Sequence, residues 1–388
     1  MSTSESSMAK LMAIRERTDI KIRPTPLLRK TVVALDGTER PLTLRYYQVQ
    51  MILHLLSMPR FIVGDDTGLG KTIESIASLC YLWEREPETK ALILTKKSAV
   101  RQWVDEFGKF TTGVNVIVCK GTPKQREAAR LQFEVSTGPT VLVMGHRSVV
   151  QDYKSYQETQ WGVLVLDEAT IVKSPKSQIH QVCRYLAMNS ARVWGLTATL
   201  IKNNLVEGYG IYQVVNPTVF SMTLPSFIDT FCVTQLINVG RGRKVKQIVG
   251  YRRAGVNLFR EKIQPFYLGR PKHEVASELP PLTTKRVPVG MSPIQASKYQ
   301  EALAGLLEIG TGEEKEVTKL TAVTYCQEIV NHPELIGIPG DSCKLDELVD
   351  ILTEGELAGE KIIIFTRFEK MVGIGVAALE KVKVASVR

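Results

Sequence analysis

Five short apolar runs limit what this chain can fold into: residues 91–95 (Ala-Leu-Ile-Leu-Thr), 114–119, 140–144 (Thr-Val-Leu-Val-Met), 162–166 (Gly-Val-Leu-Val-Leu) and 192–196 (Arg-Val-Trp-Gly-Leu). Each is nearly continuous in apolar side chains, and helical stretches separate them. A strand that is apolar on both faces must be covered on both, which a parallel sheet between two helical layers achieves. The expectation is an α/β fold with a parallel sheet and helices on both faces. In such sheets ligands bind at the carboxyl ends of the strands, and the polar motifs of this chain follow directly after its apolar runs.

The sharpest motif spans residues 61–76, where an apolar strand leads through Asp65-Asp-Thr-Gly-Leu-Gly-Lys-Thr72 into a helix. Gly68 and Gly70 let main-chain N–H groups approach a phosphate without side-chain bulk. Lys71 supplies a cation for the β- and γ-phosphates, and the Thr72 hydroxyl can join the shell of a phosphate-bound Mg²⁺. The usual pattern has Gly five residues before Gly70, where this chain has Asp65. A helix is expected from Arg45 to Met58, with Val49, Ile52, Leu53 and Leu56 on one stripe. Gln48 near its start can bond a donor and an acceptor on one adenine edge.

After the run at 162–166 come Asp167 and Glu168. Two acids closing a buried strand are costly unless they meet a metal or a reacting group. Asp167 is assigned to Mg²⁺ and Glu168 to the water attacking a γ-phosphate. Both are expected to face Lys71 from the adjacent strand end. After the run at 192–196, the hydroxyls of Thr197 and Thr199 can link the γ-phosphate site to a neighbouring domain.

At 388 residues the chain has room for two to three domains. Its net charge of +10 is concentrated: residues 236–290 hold twelve Lys/Arg against three Glu, or +9. A concentrated basic segment points to a polyanion. The six cysteines form no Cys-x-x-Cys pair, which points to a reducing compartment. The polar start lacks a signal-peptide core and no apolar run is long enough to span a membrane, so a soluble intracellular protein is expected.

Together, Leu44-Arg45-Tyr-Tyr-Gln48, the loop 65–72, Asp167-Glu-Ala-Thr170 and Leu196-Thr-Ala-Thr199 resemble the first motor domain of superfamily 2 helicase-like ATPases. Within these the chain is similar to the Swi/Snf-type branch of duplex DNA translocases. Trp103, Ile201-Lys-Asn-Asn-Leu205 with Asn216-Pro217, Gln264-Pro-Phe-Tyr-Leu-Gly-Arg270, Cys326 to Pro333 and Ser342-Cys-Lys-Leu345 extend the likeness from about Leu44 to Val372. Thr170, Leu200 and the segment Gly269-Arg270-Pro271 depart from the family pattern. The resemblance implies a RecA-like lobe that uses ATP and Mg²⁺, with Arg45, Gln48, Gly68, Gly70, Lys71 and Thr72 at the nucleotide. It places Lys96, Lys97, Ser98, His146 and Arg147 on the phosphate backbone of one DNA strand, contacts that carry no sequence information. In the basic segment Arg241, Arg243, Lys244 and Lys246 are expected on a hairpin lying along the DNA.

The implied organisation is an N-terminal extension (1–40, with a hairpin around the Asp36-Gly37 turn), a first RecA-like lobe (41–235), a basic, largely helical insertion (236–340) and the start of a second RecA-like lobe (341–388). Residues 361–368, Lys-Ile-Ile-Ile-Phe-Thr-Arg-Phe, are expected to form that lobe's first strand. Motors of this kind draw catalytic arginines from the second lobe, and losing one costs about 10³ to 10⁵ in rate. The chain is therefore expected to bind ATP and DNA yet turn ATP over poorly unless another chain supplies that lobe. An ATP-gated DNA-binding module without catalysis and an RNA helicase are the alternatives, and a cytoplasmic, nucleoid or nuclear setting fits all three.

Overall fold

A computed structural model describes residues 9–34, 36–238, 244–276, 283–309, 313–316, 319–355 and 357–386. They form two compact units that divide between Pro280 and Pro281.

The first unit opens with a small hairpin, β1 (Thr31–Val33) against β2 (Glu39–Pro41), followed by helix α1 (Tyr46–Ser57). Six strands and their connecting helices follow. These are β3 (Arg60–Val63), α2 (Lys71–Trp83), β4 (Lys90–Thr95), α3 (Val100–Phe110), β5 (Asn115–Cys119), α4 (Pro123–Val135), β6 (Thr140–Gly145), α5 (His146–Asp152), β7 (Trp161–Asp167), α6 (Gln178–Met188) and β8 (Ser190–Leu196). Beyond them lie α7 (Leu205–Val215), α8 (Leu224–Phe231), the hairpin β9 (Cys232–Asn238) with β10 (Lys244–Tyr251), and α9 (Arg253–Ile263). The two-residue strand β11 (Tyr267–Leu268) and the short helix α10 (Lys272–Val275) close the unit. The main sheet is parallel throughout, in the order β11-β3-β8-β7-β4-β6-β5.

The continuous apolar runs have a direct explanation in this sheet. Alternate residues of a strand point to opposite faces. Phe61, Ile93, Val143, Val165 and Trp194 enter one buried cluster with α1, α2 and α3, whereas Ile62, Leu94, Met144, Leu166 and Val193 enter another with α6 and α7. Each such side chain removed from water contributes about 1.5–3 kcal/mol, so neither face tolerates exposure. The helices begin where the sequence supplies caps: Thr122 with Pro123 for α4, Ser177 for α6 and Asn204 for α7.

The expected boundary at residue 235 does not separate the basic segment from the lobe. Phe259 of α9 stacks on Phe220 with centroids 5.0 Å apart, Phe227 and Phe231 complete the aromatic cluster, and β11 then adds to the main sheet beside β3. Burial of these rings ties α9 and β11 into the first unit, while residues from Pro281 belong to the second.

The second unit carries α11 (Pro293–Ala304), the hairpin β12 (Leu306–Ile309) with β13 (Glu313–Glu316), α12 (Lys319–Asn331), α13 (Cys343–Thr353) and α14 (Glu369–Lys381). Leu345 and Leu352 of α13 are buried. The strand expected at 361–368 is not formed: residues 361–366 have no regular structure, and Ile363 and Phe365 are 77% and 89% exposed. A strand needs a neighbour for its N–H and C=O groups, and no described strand pairs with this segment.

Candidate nucleotide site and nucleic-acid interface

The phosphate loop joins β3 to α2. Gly68 and Gly70 adopt φ of +87° and +101°, conformations that cost other residues about 1–2 kcal/mol. At Gly70 a second constraint applies, since a Cβ there would lie 2.4 Å from Gln48 Nε2. That amide donates to the Leu69 carbonyl (3.0 Å), while Gln48 Oε1 accepts from the Arg45 N–H (3.0 Å). Gln48, expected to read a base, thus braces the start of α1 against the loop, and Arg45 is the exposed cap of that helix.

Lys71 opens α2, and its ammonium donates to the carbonyls of Asp65 (2.7 Å) and Asp66 (3.2 Å). Burial lowers its pKa, and the carboxylates of Asp65, Glu74, Glu168 and Asp167 push it back up. Thr72 is half-buried one residue further along the helix.

Asp65, the residue that stands where the common pattern has glycine, makes the loop's main ion pair. Arg270, at the end of β11, donates from Nε to Asp65 Oδ1 (3.0 Å) and from Nη2 to Asp65 Oδ2, in a fork-to-fork arrangement. The same guanidinium bonds the Tyr47 carbonyl (2.7 Å) and Gln50 Oε1 (2.9 Å). Backbone N–H groups donate both ways, from Asp66 to the Arg270 carbonyl and from Arg270 to the Asp65 carboxylate at Oδ1. Glu74 is fully buried 3.8 Å from Arg270, and burial followed by the nearby Asp65 charge holds its pKa well above the ordinary value.

The acidic pair lies at the end of β7. Strand β8 separates β7 from β3, so the pair faces the phosphate loop from one strand further away than the sequence suggested. The intervening strand carries Leu196 opposite Val63 and Asp167. Asp167 Oδ2 accepts from Thr95 Oγ1 (2.6 Å) and Trp103 Nε1 (2.9 Å), leaving Oδ1 without a protein partner among the described residues. Glu168 sits at φ 55° and ψ 57°, a left-handed conformation found at only one other non-glycine residue described, Lys383. Such strain persists where the surroundings enforce it, and it clusters at functional sites.

Thr197 is buried, with its N–H on the Val63 carbonyl (2.9 Å) and its hydroxyl bonded to the main chain of Thr199, whose own side chain is exposed. The pair forms a compact turn at the end of β8, beside the phosphate-loop strand.

Lys96, Lys97 and Ser98 are exposed after β4, and Arg147 is exposed after β6, the strand next to it. Lys96 also reaches to 3.9 Å from Glu168. His146 does not join this surface. It is 8% exposed, its Nε2 lies 3.1 Å from the Asp167 carbonyl, and burial lowers its pKa. It positions the acidic strand end, and its ring is hidden from any polyanion. Lys244 and Lys246 are exposed on β10, with Lys246 paired to the exposed Asp229, while Arg241 and Arg243 lie outside the described residues.

The sequence alone gives Thr95 and Trp103 no part in holding Asp167, and it marks Arg270 as part of a family-like segment and of a thinned basic run, with no partner at the phosphate loop. An indole donor that follows a strand by eight residues is a weak signal, and an ion pair spanning 205 positions leaves no local trace.

Among the described residues no three His, Cys, Asp or Glu groups are gathered to hold a metal. A carboxylate oxygen of Asp167 and the Thr72 hydroxyl are hard oxygen donors suited to Mg²⁺, which takes one or two such ligands and completes its shell with phosphates and water. No described helix is long and apolar enough to cross a membrane.

Comparison with known proteins agrees with this geometry. The chain is 26% identical over 359 residues to nuclear protein STH1/NPS1 of Saccharomyces cerevisiae, covering 86% of this chain and 26% of that protein. It is 28% identical over 330 residues to chromodomain-helicase-DNA-binding protein 1-like of Mus musculus, covering 81% and 35%. The chain thus spans about a quarter to a third of these relatives. Among solved structures, the Sulfolobus solfataricus SWI2/SNF2 ATPase core in complex with dsDNA matches with a TM-score of 0.54 at 23% identity, over 93% of this chain and 72% of that one. It shares the RecA-like fold. The model of the SNF2-related domain matches residues 46–335, and the chain belongs to that family.

Proposed function

We propose that this chain is an ATP-dependent motor module acting on duplex DNA, with ATP and Mg²⁺ at the phosphate loop. The observation that carries the reading is electrostatic: Lys71 lies in the field of both Asp167 and Glu168, although Lys71 follows β3 and the acids close β7, with β8 between those two strands. A cation and two acids converging across a strand end suit a bound triphosphate.

In this reading the Gly68–Gly70 backbone and Lys71 hold the phosphates, and Thr72 and Asp167 are the residues that hold Mg²⁺. When bound, the metal neutralises charge across the β- and γ-phosphates. Thr95 and Trp103 fix Asp167 in one orientation, and Glu168 accepts a proton from the attacking water. Thr197 and Thr199 couple the strand end to a neighbouring domain. Lys96, Lys97, Ser98 and Arg147 grip one phosphate backbone, which suits movement over any sequence. Lys244 and Lys246 extend the positive surface along the hairpin, a reading that also covers Arg241 and Arg243.

The test is phosphate release at one fixed salt concentration with duplex DNA, single strands or RNA. Duplex DNA is expected to stimulate most, and Glu168→Gln to lower turnover by about 10² to 10⁴ while sparing ATP binding. Undiminished turnover in Glu168→Gln would overturn the assignment. A second reading is an ATP-gated DNA-binding module, favoured by residues 361–366 standing outside any described sheet, so that among the described residues this segment offers no strand end to hold an arginine. That reading predicts duplex affinity that changes with ATP in the absence of turnover.

A further inference from the structure

The segment after β11 brings a second lysine to the phosphate loop. A Cβ built on Gly68 would lie 3.3 Å from Lys272 Nζ and 3.6 Å from its Cε, so this ammonium sits directly over the exposed crest of the loop. Its place is fixed by bonds other than its own charge. The Lys272 N–H donates to Asp66 Oδ2 (2.9 Å), and two residues earlier Arg270 is locked to Asp65 by the buried ion pair. Tyr267 presses its ring so closely on Gly64 and Gly269 that a Cβ at either would fall within 2.3 Å of it, so the segment cannot slide along the loop.

Among the described residues the Lys272 ammonium has no carboxylate partner. Its nearest acid by sequence, Glu274, lies two residues along α10, about half a turn away, and Asp66 is already engaged through the main chain. The two lysines are held differently. Lys71 bonds the carbonyls of Asp65 and Asp66, and Lys272 stands over Gly68, where a triphosphate would meet both. A half-buried cation held by its backbone beside a glycine that leaves room for it is arranged to meet an anion.

We propose that Lys272 is a phosphate-contacting residue of the nucleotide site, supplied from beyond the basic hairpin and acting as a second cation on the polyphosphate. This rests on the nucleotide reading above and assigns it a residue outside the loop itself. Its effect grows with the number of phosphates, because the contact is to the phosphate chain and not to the base or sugar.

The test uses the full 388-residue chain and measures binding of fluorescently labelled ATP, ADP and AMP to wild type, Lys272→Gln, Lys272→Arg and Lys71→Ala. Lys272→Gln is expected to weaken ATP binding about tenfold, ADP less and AMP hardly at all, the range of one charge-assisted hydrogen bond. Lys272→Arg, which keeps the charge, should recover most of the loss, and the melting temperature of all Lys272 variants should stay at the wild-type value. A merely structural lysine would shift melting or weaken all three nucleotides equally, and either pattern overturns the proposal. ATP affinity in Lys272→Gln within twofold of wild type, with Lys71→Ala binding lost, overturns it while leaving the nucleotide site intact. Failure of the wild-type chain to bind ATP would instead remove the nucleotide reading, and the proposal with it.

Discussion

Replacing Arg270 with methionine tests how far the phosphate loop depends on a side chain 205 residues away from it. The guanidinium is 9% exposed and makes two bonds to Asp65, which is fully buried, plus one each to Tyr47 and Gln50. Removing it leaves a buried carboxylate without its cation, and breaking a buried pair on one side costs about 3–5 kcal/mol. With a urea m-value of about 3 kcal/mol/M, the midpoint should fall by about 1 M or more. All four tryptophans, Trp83, Trp103, Trp161 and Trp194, are buried in the first unit, so their fluorescence follows the unfolding of that unit alone. Adding Asp65→Asn to Arg270→Met should recover part of the loss, giving a coupling energy above about 1.5 kcal/mol in a double-mutant cycle. A midpoint for Arg270→Met within about 0.3 M of wild type, or strictly additive single changes, would refute the claim that this pair holds the loop.

Two further outcomes follow from the same neighbourhood. Glu74 has a folded-state pKa above its ordinary 4.5, so the native state holds this proton after the unfolded chain has lost it. Stability from this group is therefore complete below about pH 4.5 and declines as pH rises toward the folded value, by about 1.4 kcal/mol per pH unit. Glu74→Gln should remove that slope and be relatively more stable at pH 7 than at pH 5, as read from urea midpoints at both; an unchanged slope would contradict it. Gly70→Ala combines a strained φ with a Cβ 2.4 Å from the Gln48 amide, and should cost at least about 1–2 kcal/mol. Combining it with Gln48→Ala should cost less than the sum of the two, and full additivity would show that the close approach is not what makes glycine necessary there.

The sheet was legible because the physics that builds it is local. Residues such as Leu92, Val143 and Leu164 are apolar whichever way they point, and only a strand buried on both faces allows that. The phosphate loop and the acids at 167 and 168 were legible as ordered motifs at strand ends. Strand order was not: β8 lies between β3 and β7, and nothing within the runs themselves distinguishes a neighbour from a strand one further away. His146 was misplaced because an exposed and a buried histidine look alike in sequence, and only the fold brings the Asp167 carbonyl within 3.1 Å of its ring. Residues 361–366 have the composition of a buried strand and the structure of none, since composition supplies the apolar faces but not the partner strand.

The position of β11 gives the remote segment its consequence. It is the outermost strand beside β3, it has two residues, and its register on Ile62 and Val63 brings Arg270 level with the loop. Two residues of parallel ladder are weak by themselves. Their place is secured by the buried Arg270–Asp65 pair and by Phe259 of α9, which anchors the preceding helix in the aromatic cluster. The hairpin β9–β10 leads directly into α9, so the exposed lysines of β10 and the strap over the phosphate loop are parts of one continuous stretch of chain. Any ligand that binds only the ordered loop must stabilise that strap by linkage. Order in the strap and affinity at the loop therefore share one free energy, and a change at either is felt at the other.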